Sequence, residues 1–257
     1  MCILIFHPFR KDNSRHEQKQ QPHIYTLEEK ALDFFHEIYS YNDLKEILYR
    51  GIVSEHNVNI LLVGPPATAK SLLLQCIHEK VKDCIYYDAA NSSGPGIIHD
   101  LANHRNARII LIDEIDKINR KDQAVFYSMM ETGEVNITKK ETSIKFKMDN
   151  PKIFATSNSI ERLTKPLRSR FSVYNLQEYS DREFIKICVT LLTSKFYLPS
   201  ILSALIAQLL LEKDDKDIRK VLNIAKLVRP EDNENKIKRV IETYLKYQTD
   251  YNKTESN

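Results

Sequence analysis

The chain has 257 residues, of which 42% are hydrophobic and 28% are charged, and its formal net charge is +3. This length suits one large domain or two modest ones, and no apolar run approaches the length needed to cross a membrane. Four cysteines (Cys2, Cys76, Cys84 and Cys188) show neither metal-site nor paired spacing, so we expect a reduced, cytoplasmic protein without a membrane partner.

The pattern along the chain predicts four parts. Residues 1–25 contain a polar run and are predicted to be a disordered tail. Thr26 and Glu29 have the spacing of a capping box, which indicates a helix start. Residues 26–178 then alternate helix and strand, residues 179–250 are predicted to be a small helical lid, and residues 251–257 form a polar tail. The predicted strands are 59–63, 84–88, 108–112, 152–156 and 172–176.

The first strand ends in a segment with the composition of a phosphate-binding loop. Gly64 allows the turn, and a helix beginning near Lys70 would direct free N–H groups at an anion. Lys70 is predicted to reach the β- and γ-phosphates and the Ser71 hydroxyl to ligate Mg²⁺. Ala69 stands where the usual pattern has a second glycine, and it is tolerated if it already has helical dihedrals. The predicted nucleotide-binding residues are Gly64, Pro65, Pro66, Ala67, Thr68, Ala69, Lys70 and Ser71.

The third strand ends in two adjacent carboxylates, Asp113 and Glu114. Parallel α/β sheets bind ligands at the carboxyl ends of their strands, where the phosphate loop also lies. Asp113 is therefore a candidate Mg²⁺ ligand, directly or through water, and Glu114 is a candidate general base. Together with the loop, these acids predict a site that hydrolyses ATP.

Residues 133–148 alternate polar and apolar side chains on two arms, which predicts a β-hairpin inserted before the fourth strand. Four lysines are expected to face outward on it: Lys139, Lys140, Lys145 and Lys147. This surface is either an ordinary solvated face or a contact surface for DNA or a protein.

These motifs resemble those of the AAA+ ATPases. Residues 64–71 resemble Walker A, residues 109–114 Walker B, and residues 154–158 sensor 1, while residues 163–171 look like the arginine-finger segment and residues 217–219 like sensor 2. The resemblance implies an α/β fold of the AAA+ P-loop type, in which helices flank a parallel sheet that carries a β-hairpin insertion and a small C-terminal helical lid. It also implies bound ATP and Mg²⁺.

The resemblance assigns further catalytic roles. Asn158 would position the attacking water or the γ-phosphate, and Arg219 would contact phosphate from the lid. Arg170, with Arg168 as the alternative, would act as an arginine finger on the nucleotide of an adjacent subunit. A finger that acts in this way implies a homo-oligomeric ring, which we expect to be a hexamer.

Within the superfamily, residues 165–171 are similar to RuvB-type Holliday-junction motors, whereas residues 69–71 and 130–135 are closer to MoxR-type ATPases. Three functions therefore stay open: a DNA-remodelling motor, an ATPase that acts on a partner protein, and a nucleotide-binding switch with little turnover. RuvB-type motors carry a further winged-helix DNA-binding domain, and we expect that none follows the lid here.

Overall fold

The computed structural model describes residues 25–139 and 142–247, without the side chains of residues 136–144. The tails predicted for residues 1–25 and 251–257 lie outside this range, apart from Tyr25. The strands are β1 (Ile60–Val63), β2 (Cys84–Asp88), β3 (Ile109–Asp113), β4 (Glu134–Lys139), β5 (Thr142–Lys147), β6 (Lys152–Ser157) and β7 (Ser172–Asn175). The helices are α1 (Leu27–Phe34), α2 (Asn42–Val53), α3 (Lys70–Lys80), α4 (Gly94–Leu101), α5 (Gln123–Thr132), α6 (Lys165–Arg168), α7 (Asp181–Phe196), α8 (Ser200–Leu211), α9 (Ile218–Ala225) and α10 (Glu234–Tyr247).

Five strands form a parallel sheet in the order β2-β3-β6-β1-β7, which confirms the predicted α/β fold. All five were predicted, each to within one residue at either end. β1 lies between β6 and β7, so the strand order reverses there and the loop that follows β1 opens into the crevice where such sheets bind ligands.

Both faces of the sheet are covered, which explains why its central strands are almost entirely apolar. In β3, Ile110 and Ile112 pack in the cluster that includes α4 and α5, whereas Ile109 and Leu111 pack with α3 on the other face. All five residues of β3 are buried, including Asp113 at its end. The carboxylate is therefore held by a rigid element at the edge of the core.

The predicted hairpin is confirmed as the antiparallel pair β4 and β5, in which Val135 lies opposite Phe146. Gly133 directly follows α5 and has a φ of +72°, and a Cβ atom there would lie 2.3 Å from the carbonyl oxygen of Met148. Only glycine fits that junction. Val135 and Phe146 are buried, so these residues dock the base of the hairpin onto the core.

The chain after residue 180 is helical as far as Tyr247, as predicted. A capping box begins α7, because Ser180 accepts from the backbone of Glu183 and the Glu183 side chain accepts from Ser180. These helices share their own hydrophobic cluster, which includes Phe184, Ile206 and Ile237. Among the described residues, no helix combines the length and apolar character that a membrane span requires.

Candidate functional site

A cleft of about 860 Å³ lies at the carboxyl edge of the sheet, between the phosphate loop and the C-terminal helices. Five residues that the sequence places in four separate motifs all line it: Lys70, Asp113, Glu114, Asn158 and Arg219. The segment from Pro66 to Ser71 forms another part of its wall. The sheet topology thus brings most of the predicted site residues together.

The phosphate loop has a backbone that its sequence does not favour. Ala67 and Ala69 have φ angles of 66° and 58°, both in the left-handed region. Ala69 lies directly before α3, and its ψ is 12°. We expected alanine to be tolerated here if it had helical dihedrals, and it does not have them. An L-residue there costs roughly 1–2 kcal/mol, which glycine would avoid. Gly64 is needed for a different reason, since a Cβ atom would lie 2.5 Å from the carbonyl oxygen of Leu176.

Lys70 is buried, and its ammonium is held within the loop. Nζ donates to the carbonyl oxygens of Gly64 and Pro65, both at 2.7 Å, and to Oγ1 of Thr68 at 3.2 Å. Burial lowers the pKa of Lys70, although the carboxylate of Asp113 acts in the opposite direction. Gly64 and Pro65 thus serve the site through their carbonyl groups, and the hydroxyl of Thr68 in turn donates to Pro65 at 2.8 Å.

Asp113 is held from two sides by residues that the sequence did not single out. The hydroxyl of Thr156 in β6 donates a short hydrogen bond to Oδ1 of Asp113, and the hydroxyl of Tyr86 in β2 donates to Oδ2 at 2.8 Å. Thr156 also accepts from the backbone N–H of Glu114 at 2.9 Å. Its position inside the sensor 1 segment was the available signal, whereas Tyr86 stands in no motif.

Glu114 and Asn158 contact each other across the end of the sheet. Nδ2 of Asn158 lies 3.3 Å from Oε1 of Glu114, and the backbone N–H of Asn158 donates to Asp116 at 3.3 Å. Glu114 itself has a φ of 53°. This left-handed conformation turns the chain away from β3 directly after Asp113, so the two adjacent acids have different surroundings.

Arg219 reaches the cleft from the start of α9. Asp217 caps that helix and also accepts from Nε and Nη2 of Arg219, each at 3.2 Å. The hydrogen bonds that Arg219 donates to Asp217 raise the pKa of Arg219. The side chain of Arg219 is 73% exposed, so it has room to move toward a ligand in the cleft.

Arg168 and Arg170 are not among the described residues that line this cleft. Arg168 is the last residue of α6. Arg170 forms an ion pair with Glu131 at 2.5 Å and donates to the hydroxyl of Tyr127 at 3.2 Å. Both of these contacts lie on α5, so the structure places the predicted finger away from its own chain's nucleotide-binding loop.

The hairpin presents Lys145 and Lys147 to solvent, as predicted. The corresponding prediction for Lys139 and Lys140 lies outside the described side chains. Arg105 adds positive charge beside the base of the hairpin, where its guanidinium lies 5.5 Å from the ring centre of Phe146.

Residues 60–179 match the family model described as "ATPase family associated with various cellular activities (AAA)". Two curated relatives are named Holliday junction branch migration complex subunit RuvB. The protein from Ehrlichia canis is 30% identical over 140 residues, which are 50% of this chain and 41% of the relative. The protein from Fervidobacterium nodosum is 28% identical over 142 residues, 51% of this chain and 40% of the relative. The matches thus span about two fifths of the length of these relatives.

Solved structures show the same fold. One mutant of RuvB from Thermotoga maritima superposes with a TM-score of 0.62 at 18% identity and covers 84% of this chain and 73% of its own. A second mutant has a TM-score of 0.58 at 17% identity and covers 77% and 65%. At this identity the similarity establishes the fold, and the sequence motifs carry the chemistry.

Proposed function

We propose that this chain, an AAA-family ATPase that resembles RuvB, binds ATP with Mg²⁺ in the cleft and hydrolyses the bond to the terminal phosphate. One observation carries the proposal. Lys70 from the phosphate loop, Asp113 and Glu114 from the end of β3, and Asn158 from the end of β6 line the same cleft. This reaction needs a cation to bind phosphate, an acid to hold a metal and an acid to activate water.

Lys70 and the first turn of α3 bind the phosphates. The ammonium of Lys70 now donates to two neutral carbonyl groups, and phosphate oxygens are stronger acceptors because they are charged. The free N–H groups at the start of α3 are also available to bind an anion. Arg219 contacts phosphate from the lid and reports whether nucleotide is present.

Ser71 and Asp113 fit the requirements of Mg²⁺. Hydroxyl and carboxylate oxygens are the hard ligands that this ion prefers, and both residues line the cleft. Each oxygen of Asp113 accepts one protein hydrogen bond and keeps a second lone pair. No group of three acidic, His or Cys side chains that could hold a metal occurs within the described residues, as suits an ion bound largely through phosphates and water. Ser71 and Asp113 would hold Mg²⁺, which would supply positive charge to offset the charge that develops on the phosphates.

Glu114 orients the attacking water and accepts its proton at a carboxylate oxygen. Asn158, whose amide lies 3.3 Å from this carboxylate, orients the same water or the γ-phosphate. Arg170 acts on the nucleotide of an adjacent copy, with Arg168 as the alternative finger. Its position away from its own cleft supports a homo-oligomeric ring, proposed to be a hexamer.

The proposed macromolecular substrate is DNA. Two observations support it: the relatives are named as subunits of a Holliday junction branch migration complex, and the hairpin exposes Lys145 and Lys147. The alternatives are a partner protein, as for MoxR-like ATPases, and a nucleotide switch with little turnover.

The ATPase assignment is tested with two variants and a control. Lys70→Ala should abolish ATP binding, because the phosphate charge is left without its cation. Glu114→Gln should still bind ATP but hydrolyse it at least roughly a hundredfold more slowly, the scale of general-base loss. Lys117→Ala, at an exposed lysine three residues after Glu114, should change neither. Normal turnover in Glu114→Gln would remove Glu114 as the base, and negligible wild-type turnover would favour the switch.

The substrate is tested by measuring ATPase rates with duplex, junction and single-stranded DNA at low salt. DNA that is remodelled should stimulate turnover, because its binding and hydrolysis are coupled. Neither stimulation nor detectable binding of any form would refute the DNA proposal and favour a partner protein.

A further inference from the structure

Tyr86 connects β2 to the acid at the end of β3. In the sheet register, Tyr86 lies opposite Leu111 and Asp88 lies opposite Asp113, so Tyr86 and Asp113 are diagonal neighbours on one face. Long aromatic side chains can reach across this diagonal. The hydroxyl of Tyr86 does so and donates to Oδ2 of Asp113 at 2.8 Å.

The two hydroxyl contacts fix the orientation of the Asp113 carboxylate. Thr156 donates to Oδ1 and Tyr86 to Oδ2, so rotation of the carboxylate would break both bonds. Asp113 is only 7% exposed, and water therefore has little access to replace either donor. Hydrogen bonds from hydroxyl groups to a carboxylate are stronger than those between neutral groups.

We propose that Tyr86 is a positioning residue of the Mg²⁺ site: its hydroxyl holds Asp113 in the orientation that the ion requires. The inference rests on the proposed function, in which Ser71 and Asp113 hold the metal. Residues that orient a metal ligand typically change metal affinity or activity by about 10–100-fold when they are replaced.

The chain contains a matched control for Tyr86→Phe. The next residue, Tyr87, also donates a hydrogen bond of 2.8 Å to an aspartate, in this case Asp100 on α4. Tyr87 and Asp100 are not among the described residues that line the cleft. Tyr86→Phe and Tyr87→Phe therefore each remove one hydroxyl from a tyrosine–aspartate pair on the same strand, and only the first removes it from the proposed metal site.

The test measures binding of a fluorescent ATP analogue in EDTA and across a Mg²⁺ titration, followed by the Mg²⁺ dependence of the ATPase rate. Tyr86→Phe should raise the Mg²⁺ concentration at half-maximal effect by about tenfold, the lower end for loss of such a contact. Its affinity in EDTA should be that of the wild type. Tyr87→Phe should leave the Mg²⁺ dependence unchanged.

Two results would overturn the proposal, and they differ from each other. If wild-type protein responds to Mg²⁺ and Tyr86→Phe responds at the same concentration, Tyr86 does not position the site, although the proposed function stands. If wild-type protein binds the analogue equally with and without Mg²⁺, the proposed metal site fails together with the inference. Thermal unfolding of both tyrosine variants shows whether either has lost its fold. Partial loss of fold alone would lower the amount of analogue bound and leave the Mg²⁺ midpoint unchanged.

Discussion

Ala69→Gly should stabilise the protein in the absence of nucleotide, although it places glycine at the start of a helix. Ala69 has φ 58° and ψ 12°, a conformation that costs an L-residue roughly 1–2 kcal/mol relative to glycine. Glycine is also more flexible in the unfolded chain, which lowers stability by about 0.4–1 kcal/mol. The difference predicts a net gain of about 0.5–1 kcal/mol in the free energy of unfolding.

Ala102→Gly provides the control. Ala102 follows α4 with φ −62° and ψ −25°, which are ordinary helical angles. Glycine there relieves no strain, and it also removes a methyl group that packs against the hydrophobic cluster, so stability should fall by at least about 0.5–1 kcal/mol. The same chemical change next to two helices should therefore shift stability in opposite directions.

Thermal and urea unfolding without nucleotide measure both variants. For a chain of this size, 1 kcal/mol corresponds to a change in Tm of about 2–4 °C, so the two variants should differ measurably. If Ala69→Gly lowers the Tm as much as Ala102→Gly does, the backbone at residue 69 is not left-handed and the argument for strain in the loop is refuted.

Three further predictions concern the finger, the core and the hairpin. Glu131→Gln should lower turnover by up to roughly fivefold, because Arg170 loses the ion pair that orients it, with ATP affinity unchanged; equal turnover would show that the ion pair does not hold the finger. Lys152→Met should reduce the free energy of unfolding in urea by about 1–3 kcal/mol, because the ammonium donates to the carbonyl groups of Gly51, Ile52 and Ser54; an unchanged urea midpoint would contradict this. Replacing Lys145 and Lys147 by Ser should preserve the fold and basal ATPase but reduce the slope of log DNA affinity against log salt by up to about 1.8, and an unchanged slope would exclude these lysines from phosphate contact.

The sheet could be predicted because its strands carry unusually direct signals. Residues 60–63 and 109–112 are continuous apolar runs, and each is buried on both faces. The hairpin was visible for a different reason, since its period of two differs from the helical spacing of α5 before it. In each case the local pattern agrees with the burial that the fold requires.

The contacts of Tyr86 could not be predicted, because they depend on which strands are neighbours. Residues 86 and 113 are far apart in sequence, and only the pairing of β2 with β3 makes them diagonal neighbours. The left-handed backbone of Ala69 was hidden for the opposite reason. Alanine is a good helix former and carries no local sign of a positive φ, which the loop geometry imposes.

The excess of negative charge around the cleft supports a need for cations that the residues lining the cleft do not supply. Among the described residues that line it are six carboxylates but only three cations, Lys70, Lys195 and Arg219. Lys195 is paired with Glu37 at 3.1 Å and Arg219 with Asp217, whereas Lys70 is attracted to Asp113 and Glu114.

A triphosphate brought into this surrounding would meet net negative charge, and like charges at short range in a partly buried site repel strongly. In the proposed site, Mg²⁺ held by Ser71 and Asp113 would offset part of that charge. In the proposed reaction a further cation would offset the charge that develops during hydrolysis, and Arg170 contacts α5 rather than its own chain's cleft. The same balance of charge therefore supports both proposals: a Mg²⁺ ion held by Ser71 and Asp113, and an arginine finger supplied by an adjacent copy of the chain.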